Sequence, residues 1–347
     1  RAGAVTVQET SMKWGLIATG HIAEVFAKGL LETDSGSLYA AGSRNRDKAA
    51  AFAERFGGEK AYGGYQEVLD DPVVEAVYIS TPHTAHAEWA VKAAEAGKAI
   101  LCEKPITMNL RDAERAIEAA RTHEVFLMEA FMYRCNPQTF KLIELIRDGA
   151  IGSVRAVRAC FAFDAPRNLE GRLLNPALGG GGILDVGCYP ISFARLMAGA
   201  AMERDFADPV ALKGLGHIGA DSKVDEWAGA TLKFENGIVA QAFTGVQLTT
   251  ETAATVYGTE GRIHLPEPWR ANGRGPGRST FQLLRDGREP ETVEITADRS
   301  GYAYEADVVA EYRNRPEAPF MRWADTLGNM RTLDRWRAEI GLTYPGE

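Results

Sequence analysis

The first third of the chain alternates short apolar segments with segments of helical periodicity, and this alternation constrains the fold more than any other feature. Strands that alternate with helices of this length pair in parallel and are joined by right-handed crossovers. We therefore predict an α/β fold with a parallel sheet here. The expected strands are 13–18, 37–43, 73–81, 98–103 and 125–130, and the expected helices are 22–31, 47–56, 86–97 and 110–123.

The pattern changes near residue 150. Longer strand-like segments follow, and the turn sequences "ENG" (235–237) and "GTEG" (258–261) predict hairpins. This pattern indicates a second domain of α+β type with a mostly antiparallel sheet. The expected strands lie in 153–163, 227–248 and 252–265, an exposed Gly/Pro/Arg-rich loop in 267–280, and helices in 302–314 and 323–340.

Charge and cysteine content exclude several classes of function. The formal net charge of −8 argues against nucleic acids or anionic membranes as partners, since both need a basic face. The four cysteines form no CxxC pair, which indicates reduced thiols in a cytoplasm. The opening "RAGAVTVQETS" lacks the apolar segment of a signal peptide, so residues 1–11 are expected to be a disordered leader or an expression remnant.

A glycine-containing turn follows the first predicted strand. In "ATGHIA" (18–23), Gly20 is placed to let the backbone approach a pyrophosphate, and the following helix start favours an anion. Ala18 replaces the first glycine of the usual pattern, which is tolerable if its φ angle is negative. A plain strand–helix turn is the alternative. The expected cofactor contacts are Ala18, Thr19, Gly20, His21 and Ile22.

The end of the second predicted strand indicates which dinucleotide binds. An NAD site usually places a carboxylate there for the ribose hydroxyl, but this chain has "GSRNR" (42–46). An arginine at this place suits a 2′-phosphate. We predict NADP, held by Ser43, Arg44 and Arg46, with a solvated basic turn as the alternative.

Several motifs together resemble one enzyme family. They are "STPHTAHAEWA" (80–90), "LCEKPIT" (101–107), "EAFMYRCNPQ" (129–138), "GGGGILDVGCYPI" (179–191) and "YGTEGRI" (257–263). The chain resembles the glucose–fructose oxidoreductase/inositol dehydrogenase (Gfo/Idh/MocA) family, in the branch with dimeric dihydrodiol dehydrogenases and NADP-dependent D-xylose dehydrogenases. The resemblance implies a Rossmann domain followed by a domain with an open, mostly antiparallel sheet that often forms a dimer.

The resemblance also implies further contacts with the cofactor. His83 and His86 are expected to contact the cofactor and cap a helix; a metal pair is the alternative, but no third ligand lies nearby. Arg167 and Arg172 are weaker candidates for contact with substrate. The residues expected at the cofactor, and partly in the nicotinamide pocket, are Ser80, Thr81, Pro82, His83, His86, Glu103, Lys104, Glu129, Met132 and Arg134.

Three residues are candidates for the chemistry itself. Oxidation of an alcohol sends a hydride to the nicotinamide and requires a base for the hydroxyl proton. Lys104, in the Glu-Lys-Pro context that the resemblance makes significant, and Tyr189 are both candidates for that base. Asp185 lies four residues before Tyr189, on the same face of a predicted helix. A surface salt bridge for Lys104 and aromatic packing for Tyr189 are the structural alternatives.

These features predict an NADP-dependent oxidoreductase that moves a hydride between the nicotinamide and a sugar, cyclic diol or related polyol. A non-catalytic regulator or sensor of the same fold and an NAD-dependent glycosidase are the alternatives. We expect no metal and a homo-oligomer, either a dimer or a dimer of dimers. The predicted division is 12–132 for dinucleotide binding and 133–347 for substrate binding and oligomerisation.

Overall fold

The computed structural model describes residues 11–347, and its first sheet is parallel throughout. The strands are β1 (Met12–Ile17), β2 (Gly36–Gly42), β3 (Lys60–Tyr62), β4 (Ala76–Ile79), β5 (Ala99–Glu103) and β6 (Leu127–Ala130). Their spatial order is β3-β2-β1-β4-β5-β6. The order reverses between β1 and β4, and ligands of open α/β sheets bind at such a switch point.

The helices are α1 (His21–Leu30), α2 (Arg46–Phe56), α3 (Tyr65–Asp70), α4 (His86–Glu95), α5 (Leu110–Thr122), α6 (Pro137–Arg147), α7 (Cys188–Ala200), α8 (Gly301–Tyr312) and α9 (Trp323–Ile340). Local signals set their ends. Asn45 begins α2 by accepting a hydrogen bond from the Lys48 N–H, and Gly57 ends it at φ +76°. Shorter helical turns are His83–Ala85, Met132–Cys135, Pro176–Leu178 and Ile183–Gly187.

The second sheet has eight strands, and one of its pairings, β7 with β10, is parallel. Its strands are β7 (Val154–Ala162), β8 (Ala211–Ile218), β9 (Asp225–Lys233), β10 (Val239–Gly245), β11 (Ala254–Gly258), β12 (Gly261–Leu265), β13 (Gly277–Arg285) and β14 (Glu291–Ala297). They lie in the order β14-β13-β12-β11-β7-β10-β9-β8. The fold class expected from the sequence is therefore confirmed, including the β9–β10 and β11–β12 hairpins.

One expectation about this region is wrong. The segment 267–280 is not a wholly exposed loop, because β13 begins at Gly277 and the side chain of Trp269 is buried. The Trp269 indole donates a hydrogen bond to the Cys160 carbonyl at 3.1 Å. Turn-forming residues surround Trp269, so the sequence predicted an exposed loop. Burial of a side chain inside a loop depends on the rest of the fold.

An aromatic stack supports the first sheet. Phe26 of α1 lies 4.0 Å from the Tyr78 ring of β4 and 5.0 Å from the Trp14 ring of β1, measured between ring centroids. All three side chains are inaccessible to solvent. Full burial of one such side chain stabilises a fold by roughly 1.5–3 kcal/mol, so this stack fixes α1 firmly over the sheet.

The second half of the chain packs closely on the first. The two domains do not separate cleanly along the chain, because α8 packs on α1, where a Cβ at Gly29 would lie 2.9 Å from Tyr302. The predicted boundary at 132/133 stays a prediction. Residues 1–10 of the predicted leader lie outside the described residues.

The eight-stranded sheet has one covered and one uncovered face. Helices α7 and α9 pack on the first face, where a Cβ at Gly214 would lie 2.7 Å from Trp336. Leu215, Trp227 and Phe243 are on the other face, and Leu215 is 84% exposed. Among residues 11–347, no helix combines the length and apolarity needed to cross a membrane.

Candidate active site

The turn after β1 has an unusual backbone. Ala18 adopts φ +89°, in the left-handed region that favours glycine, so the negative φ that would make alanine tolerable in this turn is not found. Gly20 precedes α1 in an extended conformation, and a Cβ added there would meet nothing within 4 Å. The backbone at Gly20, just before α1 begins at His21, is therefore open to a ligand on its Cβ side. This is the geometry that a pyrophosphate requires.

The end of β2 lies beside this turn. The Ala18 N–H donates to the Gly42 carbonyl at 3.2 Å, which joins the two strand ends. Ser43 is buried, whereas Arg44 is exposed and Arg46 starts α2. The exposed guanidinium of Arg44 is thus free to meet a ligand phosphate at the edge of the site.

The end of β4 also lies beside this turn, and two histidines follow the strand in the sequence. The Ser80 N–H donates to the Ile17 carbonyl at 3.1 Å. Nδ1 of His83 lies 3.4 Å from the Gly179 carbonyl of the second domain. Burial lowers the pKa of His83 well below its usual value, so this imidazole is neutral near pH 7.

His86 is fully buried, and both of its ring nitrogens contact carbonyls. Nε2 lies 2.8 Å from the Thr81 carbonyl, and Nδ1 lies 2.9 Å from the Pro105 carbonyl. Both ring nitrogens of His86 are therefore occupied within the protein, and its side chain does not cap α4. It instead connects the loop after β4 to the loop that carries Lys104. These contacts give His86 a positioning role, while its contact with the cofactor stays a prediction.

Lys104 lies directly after β5 and meets the second domain. Its Nζ donates to the Asp185 carbonyl at 2.7 Å and lies 3.7 Å from Oδ1 of the Asp185 carboxylate. Oδ1 also accepts a hydrogen bond from Arg172 at 2.7 Å. Burial alone would raise the pKa of Asp185, but the Lys104 and Arg172 charges hold it below its usual value. Asp185 is therefore an anion that fixes both cations.

Tyr189 completes the candidate catalytic group. Its ring centroid lies 5.3 Å from Lys104 Nζ, and it is the second residue of α7. Asp185 lies in a π-helical turn rather than a regular α-helix, so the predicted i to i+4 spacing is distorted. Among residues 11–347, the Tyr189 hydroxyl has no hydrogen-bond partner. Burial raises the pKa of Tyr189 well above its usual value.

The glycines at 179–182 form a tightly packed turn. Gly181 has φ +109°, and a Cβ there would lie 2.1 Å from Oδ1 of Asp225. Oδ2 of Asp225 accepts a hydrogen bond from the Ile183 N–H at 2.6 Å. Burial raises the pKa of Asp225 to about 7. No motif in the sequence points to Asp225, which holds the turn that presents Asp185.

The two loop arginines have different environments. Arg172 is part of the Lys104–Asp185 group. Arg167 pairs with Glu226 at 2.9 Å and with Asp221 at 3.5 Å, so its charge is already balanced. Of these two candidates for substrate contact, the structure brings Arg172 to the site and assigns Arg167 to a separate ion-pair cluster.

Glu103 lies beneath Lys104 and is buried. Its carboxylate accepts hydrogen bonds from the Tyr78 hydroxyl and from the Lys104 N–H. Burial raises the pKa of Glu103, while the neighbouring Lys104 charge opposes that rise. Glu103 thus supports the backbone of the loop that carries the lysine.

Three other predicted contacts with the cofactor lie in the interior. Glu129 accepts a hydrogen bond from the Ile106 N–H at 2.9 Å, and burial raises its pKa to about 8. Arg134 pairs with Asp325 at 2.9 Å, and Met132 packs against Gly301 at the start of α8. All three side chains are buried and in contact with other parts of the protein, so their place in a nicotinamide pocket stays a prediction.

Sequence reasoning missed the aromatic group around Tyr189. The ring centroids of Phe131, Phe161 and Trp269 lie 5.2, 5.3 and 5.6 Å from that of Tyr189, and Tyr133 lies at 5.9 Å. These rings come from distant parts of the chain, so no local spacing could reveal the group. A tryptophan inside a Gly/Pro-rich loop was the one available signal, since large aromatic residues are mostly buried.

The arrangement suits proton handling beside a dinucleotide. A cation, a neutral phenol and an anion converge at the carboxyl ends of parallel strands, next to an open helix start. No three His, Cys, Asp or Glu side chains among the described residues 11–347 form a metal-binding group. The described side chains supply the site with hydrogen-bond donors, a buried carboxylate and cations.

Two family models match the chain. Residues 12–131 match the model described as "Oxidoreductase family, NAD-binding Rossmann fold", and residues 140–264 match the "GFO/IDH/MocA C-terminal domain". The two matches follow each other along the chain as the two sheets do.

Individual proteins are similar over almost the whole length. Trans-1,2-dihydrobenzene-1,2-diol dehydrogenase of Xenopus tropicalis is 31% identical, over 96% of this chain and 99% of its own. D-xylose 1-dehydrogenase (NADP(+)) of Hypocrea jecorina is 30% identical, over 96% of this chain and 93% of its own. A 3-ketoreductase from Actinomadura kijaniata, solved with NADP and TDP-benzene, has a TM-score of 0.85 at 27% identity, covering 95% of this chain and 98% of its own.

Proposed function

Since the chain belongs to the GFO/IDH/MocA oxidoreductase family, we propose that it is an NADP-dependent dehydrogenase or reductase. Its substrate is a sugar, a cyclic diol or a related polyol. The names of the dihydrodiol and xylose dehydrogenases support this substrate class. We assign dinucleotide binding to residues 12–132 and substrate binding to residues 133–347.

One observation carries the proposal: the contact between Lys104 and Asp185. It joins the end of β5 to the π-helical turn of the second domain, with the Tyr189 ring beside it. Lys104 and Asp185 are largely buried beside the turn that suits a dinucleotide, where the charge and proton of the lysine can act on a bound substrate, and this favours an enzyme over a non-catalytic regulator. A site for hydride transfer needs a group that exchanges a proton at this place.

The residues available to the dinucleotide fit NADP. The N–H groups at the start of α1 suit the pyrophosphate, and Arg44 suits the 2′-phosphate through charge-assisted hydrogen bonds. No carboxylate follows β2 to bind the ribose hydroxyls of NAD, since the next residues are Ser43 and Arg44. When bound, the nicotinamide supplies the carbon that accepts or releases the hydride.

The chain's own part in the reaction is to bind the substrate oxygen and move its proton. Tyr189 stays a neutral phenol near pH 7 because burial raises its pKa, so it can donate a hydrogen bond to that oxygen. Lys104 supplies a positive charge that stabilises an alkoxide and is the candidate for proton exchange. Asp185 keeps Lys104 in place, and the buried rings around Tyr189 exclude water from one side.

An absorbance assay tests this function. The protein is mixed with NADP⁺ and a panel of aldoses, cyclic diols and polyols, and formation of reduced nicotinamide is followed. A non-catalytic sensor would bind NADP⁺ without turnover, and a glycosidase would release sugar without net reduction. Absence of turnover with every compound, in both directions, would refute the proposal.

The choice of cofactor has its own test. Charge-assisted hydrogen bonds contribute roughly 1.5–3 kcal/mol each, so Arg44→Ala should weaken NADP binding about tenfold or more and leave NAD binding nearly unchanged. Ser43→Asp should repel the phosphate and offer a partner to the NAD ribose. The measurement is kcat/KM for both cofactors. A wild-type preference for NAD, or an unchanged ratio in Arg44→Ala, would contradict the assignment.

We also propose a homodimer joined through the uncovered face of the eight-stranded sheet. Leu215, Trp227 and Phe243 expose apolar surface on this face, whereas helices cover the opposite face of the sheet. An antiparallel sheet with one uncovered apolar face is stabilised when a second copy covers it.

A further inference from the structure

A loop of the second domain reaches the dinucleotide turn of the first. Nη1 of Arg274 lies 3.0 Å from Nε2 of His21, the first residue of α1. The two residues are separated by 253 positions in the chain. Arg274 lies between β12 and β13, in the segment that the sequence described as an exposed Gly/Pro/Arg-rich loop. The contact therefore places a cation from the second domain at the entrance of the phosphate site.

The loop is held in place by buried anchors. Trp269 is buried against the aromatic group around Tyr189. The Asn272 side chain donates to the carbonyls of Gly275 at 2.6 Å and Arg299 at 2.9 Å, and accepts from Asn136 at 2.7 Å. Arg274 thus extends from a fixed backbone, and its reach to α1 does not depend on a freely moving loop.

The charge of Arg274 has no protein partner in the structure. Within residues 11–347, no carboxylate oxygen lies within 4.0 Å of Arg274, whereas Arg172 and Arg167 both have one. Among the described residues, the side chain that its guanidinium contacts at hydrogen-bonding distance is the His21 ring. Burial raises the pKa of Tyr302, and the nearby Arg274 and Arg270 charges oppose that rise, which is consistent with both guanidinium groups facing the same region.

The position is unfavourable for a cation unless an anion binds there. The N-terminus of a helix carries a partial positive charge, so a guanidinium next to it is repelled. A negatively charged ligand between the two reverses this, because it is attracted by both. The space above Gly20 is open to such a ligand.

We propose that Arg274 binds the pyrophosphate of the dinucleotide, so that the second domain closes the cofactor site from the side opposite α1. The proposal rests on the proposed function, since it needs a bound dinucleotide. It predicts that two arginines bind different phosphate groups of the cofactor. Arg44 recognises the 2′-phosphate that only NADP has, whereas Arg274 recognises the pyrophosphate that NAD and NADP share.

Equilibrium binding distinguishes the two roles. Dissociation constants of NADP⁺, NAD⁺ and 2′-AMP, which lacks a pyrophosphate, are measured by calorimetry or competition on the full chain. Arg274→Gln should weaken NADP⁺ and NAD⁺ about tenfold each and leave 2′-AMP unchanged, because one charge-assisted contact is lost from both dinucleotides. Arg44→Ala should weaken NADP⁺ and 2′-AMP but not NAD⁺.

Arg278→Gln is the matched control. Arg278 is an exposed arginine of β13 that pairs with Glu294 at 3.2 Å, and its loss should leave all three affinities unchanged. Two results would overturn the proposal about Arg274: unchanged dinucleotide affinities in Arg274→Gln, or a loss of affinity confined to NADP⁺ and 2′-AMP. In either case, dinucleotide binding by the wild-type protein would still uphold the proposed function. If the wild-type protein binds neither dinucleotide, the proposed function and this inference both fail.

Discussion

Replacement of Lys104 by methionine tests the centre of the proposed mechanism. Methionine keeps most of the length of the side chain and removes its charge and proton. Lys104→Met should lower turnover by roughly 10²–10⁴, the usual effect of losing a positioned acid or base. At 1.36 kcal/mol per factor of ten, this corresponds to about 2.7–5.4 kcal/mol of lost transition-state stabilisation.

The protein should still fold, and the structure gives the reason. The variant loses the hydrogen bond from Nζ to the Asp185 carbonyl and the 3.7 Å ion pair with the Asp185 carboxylate. Asp185 keeps its 2.7 Å hydrogen bond from Arg172, so its buried charge is not left alone. The stability cost should be about 1–3 kcal/mol, within the roughly 5–15 kcal/mol that stabilises a typical protein.

A second buried lysine provides the matched control. Lys98 immediately precedes β5, and its Nζ donates to the carbonyls of Asp71 and Val74 at 2.8 Å each. Lys98→Met should cost comparable stability without a comparable loss of turnover. The assay is steady-state kcat and KM with NADP⁺ and the best substrate of the panel, with unfolding curves and NADP⁺ affinity for each variant. Near-wild-type turnover in folded Lys104→Met would refute the assignment.

Three further predictions concern other parts of the molecule. Tyr189→Phe should lower turnover. The oxidation rate of the wild type should rise with pH because the reaction releases a proton. Since burial raises the pKa of Tyr189, a rate that levels off below pH 9 would exclude its phenolate as the base. Ala18→Gly should increase the free energy of unfolding by about 0.5–1 kcal/mol, because the φ of +89° is strained for alanine, and a lower value in denaturant titration would contradict this. Light scattering should find a dimer at micromolar concentration and a monomer for Leu215→Glu, whose charge would be buried in the interface; a monomeric wild type would refute the sheet-face dimer.

The sequence determined those features that depend on local patterns. Apolar segments alternating with amphipathic helices were enough to predict the parallel sheet, because each element must bury one face or stripe. The hairpins at 235–237 and 258–261 followed from the conformational freedom of Asn and Gly in tight turns. The motif around Lys104 and the family resemblance identified the residues that the structure brings together at the site, namely Lys104, Asp185, Tyr189 and Arg172.

Tertiary structure alone decided the backbone state of Ala18 and the surroundings of the candidate residues. The positive φ of Ala18 is imposed where the turn must fit between β2 and α1, which overrides the intrinsic preference of alanine. Glu129 and Arg134 are polar residues that the resemblance places at the cofactor, yet the fold gives Glu129 a backbone hydrogen bond and Arg134 an ion pair inside the protein. The meeting of Arg274 with His21 joins segments 253 residues apart, and only the packing of the second domain on the first could bring them together. Contacts over such distances depend on the summed packing of both domains, whereas strand, helix and turn signals depend on neighbouring residues.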